Sequence, residues 1–124
     1  KSERAKEAQD IIISLQEKLV EKELLSAQLY YNLGNYMGNN YESAVITAQN
    51  ALRDYPYTKY RETLSFLILK AKFQEATQSV EEKKIDRFRD VIDEYYSFIN
   101  EFPESSNMKE AKRMFNVANK YVKE

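Results

Sequence analysis

Of the side chains that ordinarily do chemistry, this chain offers carboxylates, lysines, tyrosines and hydroxyls, and it has no histidine and no cysteine. The usual base for a serine nucleophile, the usual zinc ligand and the usual proton carrier near neutral pH are therefore missing. Disulfides, thiol chemistry and thiolate metal sites go with them. The densest acidic group is Asp86, Asp90, Asp93 and Glu94, close enough on a helix to suggest a carboxylate pair or a divalent-ion site. Arg87 and Arg89 lie among these residues, and a hard cation gathers more oxygen ligands than one helix face supplies. A solvated helix face is the better account. No serine has an evident oriented base beside it. Neither catalysis, nor a cofactor, nor a metal is expected.

Binding is better represented. In the run Glu81-Glu82-Lys83-Lys84-Ile85-Asp86-Arg87, Lys83 and Arg87 stand four apart, where they form either a basic docking stripe or ordinary solvated ion pairs, the latter worth a few tenths of a kcal/mol each. The ion-pair account is preferred. Of the ten tyrosines, Tyr30, Tyr31, Tyr36, Tyr41, Tyr55, Tyr95, Tyr96 and Tyr121 fall mostly on apolar stripes and suit packing with one polar end. Tyr57 and Tyr60 differ, since they flank the turn after Pro56 beside Arg53 and Arg61. A Tyr/Arg cluster is the composition of an interface hot spot; a turn held by aromatic packing is the competing account. The candidate partner-binding residues are thus Arg53, Tyr57, Tyr60, Arg61, Lys83 and Arg87.

The elements that carry these residues follow from composition and periodicity. With 124 residues, 43% hydrophobic, 31% charged and only 2 Gly and 2 Pro, the chain suits one domain of long helices joined by short turns. Its 19 basic and 20 acidic residues leave a net charge of -1, without the basic excess that phosphate binding requires, so no nucleic-acid partner is expected. No apolar run approaches the roughly 18 residues of a membrane span. The first segment, 1–38, carries Ala5, Ala8, Ile12, Leu15 and Leu19 on one stripe, then Val20, Leu24, Ala27, Tyr31 and Gly34 on another. It reads as one long helix, or two nearly continuous ones, changing packing partner near residue 20. The breaks come at Gly34 and then Gly38-Asn39-Asn40.

Four further helices are expected over 41–55, 59–80, 82–102 and 107–123. Thr58 is placed to cap the third helix, and Asn107 with Glu110 to form a capping box on the fifth. The third carries Leu64, Leu67, Ile68 and Ala71 on one face and Phe66, Leu69, Phe73 and Ala76 on another, the pattern of a helix sandwiched between neighbours. The fourth stripe is Ile85, Phe88, Ile92, Tyr95, Ile99 and Phe102, and the fifth is Met108, Ala111, Phe115, Ala118 and Val122.

Two segments repeat. Leu52-Arg53-Asp54-Tyr55-Pro56-Tyr57-Thr58 and Ile99-Asn100-Glu101-Phe102-Pro103-Glu104-Ser105 share an aliphatic residue, two polar residues, an aromatic, Pro and a hydroxyl two positions later, 47 residues apart. The aromatic closes the buried face, Pro ends one helix and the hydroxyl restarts the chain. Ala44, Ala51 and Pro56 match the small-residue and proline spacings of tetratricopeptide repeats, although the offset exceeds the usual period of about 34 residues, and Val91 and Phe98 stand where the second unit would have Ala. The expected fold is all-α: tetratricopeptide-like helical hairpins stacked as a right-handed superhelix. The chain begins at Lys1 within helix-like sequence, as a piece of a longer array would.

The chain resembles the C-terminal half of the BamD (YfiO) family of outer-membrane protein assembly lipoproteins, in its Bacteroidetes form. The resemblance covers nearly the whole sequence. It rests on Leu29-Tyr30-Tyr31, on Arg53 to Glu62, on Ser79-Val80-Glu81-Glu82-Lys83-Lys84, and on Tyr95-Tyr96-Ser97-Phe98 running to Phe102-Pro103-Glu104-Ser105. It implies a non-enzymatic periplasmic scaffold of about five repeats, held at the outer membrane by an N-terminal lipid whose cysteine is not in this sequence. It further implies contact with the POTRA region of the BamA barrel protein, with other subunits of the assembly machine and with unfolded outer-membrane proteins. Two alternatives stay open: another periplasmic tetratricopeptide adaptor, or a repeat domain that binds a peptide or small ligand in a concave groove.

Overall fold

A computed structural model describes residues 2–123, which form five helices and, among the described residues, no strand: α1 (Ser2–Leu33), α2 (Asn40–Asp54), α3 (Arg61–Thr77), α4 (Glu81–Glu101) and α5 (Met108–Lys123). The lead segment is one unbroken helix from Ser2 to Leu33; its expected start at Lys1 lies outside the described residues. It stops because Gly34 adopts φ 57°, the left-handed conformation that ends helices, while the Gly34 N–H still donates to the Tyr30 carbonyl at 3.0 Å. A side chain there would also collide with Tyr41, whose hydroxyl lies 2.8 Å from an ideal Cβ. The turn ends where Asn39 caps α2, its side chain accepting from the Glu42 N–H at 3.2 Å.

Two expected caps form differently. α3 begins at Arg61 rather than 59, because Thr58, Lys59 and Tyr60 complete a turn instead of entering the helix; its cap residue is Tyr60, with no side-chain hydrogen bond. On α5, Glu110 does not reach back to Asn107 but takes both Nε and Nη2 of Arg113, at 3.0 and 2.8 Å. A guanidinium three residues on offers a bidentate, charge-assisted pair, the stronger of the two choices. α3 ends at Thr77, short of 80, and α4 opens at Glu81 after the extended Val80.

Each helix packs on the next in the chain, and α3 also touches α1 and α5. Aromatic pairs record the antiparallel order: Tyr31 with Tyr41, Phe66 with Phe98, Phe73 with Phe88, and Tyr95 stacked on Phe115 at 4.5 Å. The buried residues divide into two cores that share α3. Leu64, Leu67, Ile68 and Ala71 join Val20, Leu24 and Ala27 of α1 and Ala44, Val45, Ala48 and Ala51 of α2. Phe66, Leu69, Phe73 and Ala76 join Phe88, Val91, Tyr95 and Phe98 of α4 and Ala111, Met114 and Ala118 of α5. The alanines of the first core let the backbones approach closely, whereas the second is filled with rings. On α4 the buried face centres on Phe88, Val91, Tyr95 and Phe98, so Ile85 lies outside it and is 42% exposed.

Leu64 is fully buried in the first core, where little can move to refill its place. Leu64→Ala is expected to cost about 2–5 kcal/mol, measured as a lower urea midpoint with an unchanged slope.

Candidate functional site

The repeated proline segments form the same turn twice. In the first, the N–H groups of Tyr55, Thr58 and Arg61 donate to the carbonyls of Ala51, Tyr55 and Thr58 at 2.9, 3.1 and 3.2 Å. In the second, Phe102, Ser105 and Met108 donate to Phe98, Phe102 and Ser105 at 2.8, 3.1 and 3.2 Å. The hydroxyls also act alike: Thr58 Oγ1 accepts from the Tyr60 N–H at 3.2 Å, and Ser105 Oγ from the Asn107 N–H at 3.0 Å. Neither hydroxyl caps a helix in the expected way.

Each hydroxyl instead donates to a carboxylate on a helix outside its own turn. Thr58 Oγ1 donates to Glu17 of α1 at 2.6 Å, and Ser105 Oγ to Glu62 of α3 at 2.5 Å. Glu17 also accepts from the Lys59 N–H at 2.9 Å. These bonds hold the Glu17 carboxyl below the usual carboxylate range: the Thr58 hydroxyl contributes most, partial burial opposes it, and the Lys59 N–H and charge add to it. Thr58 is the buried polar residue of the described chain, and its hydroxyl is satisfied on both sides. Arg61 ties the first turn to the second, donating from Nη1 to the Pro56 carbonyl at 2.8 Å and pairing with Glu101. The Glu101 hydrogen bond raises the Arg61 pKa.

Around this frame lies an open surface. A groove of about 440 Å³ runs between Ile13, Gln16 and Glu17 of α1 and the segment Asp54 to Lys59. On the far side of Tyr57 a second recess, about 490 Å³, is lined by Pro56, Tyr57, Thr58, Arg61 and Glu101. Tyr57 forms the ridge between the two and is 98% exposed. Such a ring, held on a turn fixed by the backbone hydrogen bonds of Tyr55, Thr58, Lys59, Tyr60 and Arg61, costs little entropy to bury against a partner.

The six candidate binding residues do not form one patch. Arg53, Tyr57, Tyr60 and Arg61 gather at the Pro56 turn, while Lys83 and Arg87 lie near the other end of α3, about 25 Å away along a 17-residue helix. Within the first group the roles differ. Arg53 is exposed, with Asp54 and Asn50 each at 3.1 Å. Tyr60 packs partly into the first core under the Lys59 ammonium, and Arg61 is held by Glu101 and Pro56. Arg87 turns inward, donating to Ser79 Oγ at 2.6 Å near Glu75 at 3.9 Å, which fastens the α3–α4 turn. The basic stripe is therefore reduced to Lys83. Among the acidic candidates, Asp86 faces Arg89 at 3.4 Å and Glu94 faces Lys72 at 3.0 Å, and no three such ligands converge among the described residues.

Nothing in the local residue pattern singles out Ile13, Gln16 and Glu17, the α1 side of the groove. The one available signal is that Glu17 and Glu62 precede the two repeated hydroxyls by 41 and 43 residues. No helix of the described residues is long and apolar enough to cross a membrane. No protein-family model matches the chain, and no curated protein matches it.

Thr58→Val keeps the shape of the side chain and removes the hydroxyl, with an expected loss of about 1–2 kcal/mol in urea unfolding. Because the Glu17 pKa is depressed by folding, its contribution is fully present above the unfolded value and disappears as pH falls through the folded one. The stability difference between the wild type and Glu17→Gln should hold steady above about pH 5 and fall at lower pH to a pH-independent remainder.

Proposed function

We propose that this chain is a tetratricopeptide-like scaffold of the BamD type, binding partner proteins at the surface around the Pro56 turn. The observation that carries this reading is the twice-formed Pro-x-Thr/Ser turn, with each hydroxyl fixed to a carboxylate outside its turn. A turn and a fastening formed twice support the reading of a stacked repeat, and repeat arrays present extended binding surfaces. In this reading α1–α2 and α3–α4 are successive hairpins, α5 closes the stack, and the sense of stacking is right-handed. The resemblance in sequence supplies the partner and the compartment: the POTRA region of the BamA barrel protein, with other assembly subunits and unfolded outer-membrane proteins, at the periplasmic face of the outer membrane. The chain catalyses nothing in this reading, and the resemblance implies that an N-terminal lipid holds it at the membrane.

Tyr57 and Arg53 are the residues to change, since both are exposed and neither fastens the frame. Arg61 is unsuitable, because losing its bonds to Glu101 and Pro56 would distort the turn itself. Titration calorimetry against the POTRA region from the same source should give saturable binding. Tyr57→Ala with Arg53→Glu should weaken it at least tenfold, about 1.4 kcal/mol, with unfolding unchanged within about 0.5 kcal/mol. Binding that the double variant leaves intact would remove the Pro56 surface from the account.

One observation favours the groove alternative. On α3, which touches both α1 and α5, the Lys70 ammonium lies 4.7 Å from the Tyr31 ring centre and 5.5 Å from that of Phe66. Burial lowers its pKa, with the Glu110 charge opposing. An amine so placed suits a peptide carboxylate. In that reading Lys70→Met abolishes capture of acidic peptides and the Tyr57 variant does not.

A further inference from the structure

α1 is apolar along two lines, and the fold covers one of them. Ile12, Leu15, Leu19, Leu29 and Leu33 fall on the alternating three- and four-residue spacing 12, 15, 19, 22, 26, 29, 33, with Lys22 and Ser26 at the two remaining places. This is the a/d spacing of a coiled-coil seam, and Ala5 and Ala8 extend it toward the N-terminus. The buried line, Val20, Leu24 and Ala27, belongs to the first core. The seam does not: Ile12 and Leu15 are each 55% exposed, Leu19 51% and Leu29 60%.

The exposed area is too large to be incidental. Together with the flanking Ile11 and Leu25, the seam leaves on the order of 700 Å² of aliphatic surface open, beyond the roughly 300–600 Å² of the largest patch on a typical monomer. Two such faces brought together bury about 1,400 Å², within the roughly 1,200–2,000 Å² of a stable interface. The spacing specifies a helix as the covering element, and a second copy supplies one with the same spacing and length. Lys22 sets the direction. In a parallel, in-register pair it would face its own counterpart inside the seam, ammonium against ammonium. In an antiparallel pair that runs the length of the seam from Ala5 to Leu33, Leu19 lies at the two-fold axis and Lys22 faces Leu15 instead.

We propose that a second copy of this chain covers the α1 seam, the two α1 helices packing antiparallel. The seam adjoins the Pro56 surface at Leu19, which borders a recess shared with Arg53 and Tyr55, so self-association is measured without any partner protein and its failure is distinct from a failure of the scaffold reading.

Sedimentation velocity over a range of loading concentrations tests it. The wild-type chain should sediment at twice its 14.7 kDa. Ile12→Glu with Leu19→Glu should weaken association by at least about a hundredfold, with helical circular dichroism unchanged because both side chains are already exposed. A wild-type chain that stays monomeric at every concentration overturns the proposal and leaves the seam to a different partner. A dimer that survives the two glutamates overturns it as well. Direction is read from pyrene on Arg4→Cys, a unique thiol in a chain without cysteine. The antiparallel pair holds the labels apart and gives no excimer emission, whereas excimer emission contradicts it.

Discussion

Because α3 is apolar on both sides, it needs cover twice, and the order of the fold follows from that constraint. Its Leu64 face is covered by α1 and α2, and its Phe66 face by α4 and α5. Removing either pair would expose a row of large side chains to water, at about 25 cal/mol for each Å² uncovered. The two cores are consequently halves of one structure. The charged surface adds little by comparison: exposed pairs such as Arg89–Asp86 and Arg53–Asp54 are each worth about 0–1 kcal/mol.

The turns depend on α3 as well. Its first turn presents Arg61 and Glu62 side by side, and these reach Glu101 and Ser105 at the second proline turn. Glu17 of α1 does for the first turn what Glu62 does for the second. A chain of polar fastenings therefore runs along one edge of the molecule, from α1 through α3 to the start of α5. This explains why a loop segment can hold Tyr57 almost wholly in solvent without collapsing it onto the surface. The backbone beneath the ring is hydrogen-bonded, and the apolar neighbours that could attract it, Tyr55 and Tyr60, are already packed against the first core.

Much of this was legible in the residues. The two faces of α3 can be read from the spacing of Leu64, Leu67, Ile68 and Ala71 against Phe66, Leu69, Phe73 and Ala76, since a 3.6-residue period leaves no other arrangement. The equivalence of the two proline turns is visible in the repeated segments. What escaped is tertiary. Thr58 looks like a helix cap because a hydroxyl before a helix usually is one; its partner, Glu17, lies 41 residues away, beyond any local rule. Arg61 has the look of a free hot-spot residue until Glu101, 40 residues on, is brought beside it. Arg87 is drawn inward for the same reason, by Ser79 and Glu75. The stripe along the first half of α1 was equally visible, but periodicity does not say whether a face is covered, and this one is open.

We propose that a partner protein meets this chain at the Pro56 turn. Hydrogen exchange of the chain with and without the BamA POTRA region tests it most directly, because it reports position as well as binding. Added protection over residues 53–61 and over the facing stretch of α1, residues 13–17, is the predicted result. Protection confined to the far end of α3 and the start of α4, around Lys83, or no added protection at saturating partner, would contradict it.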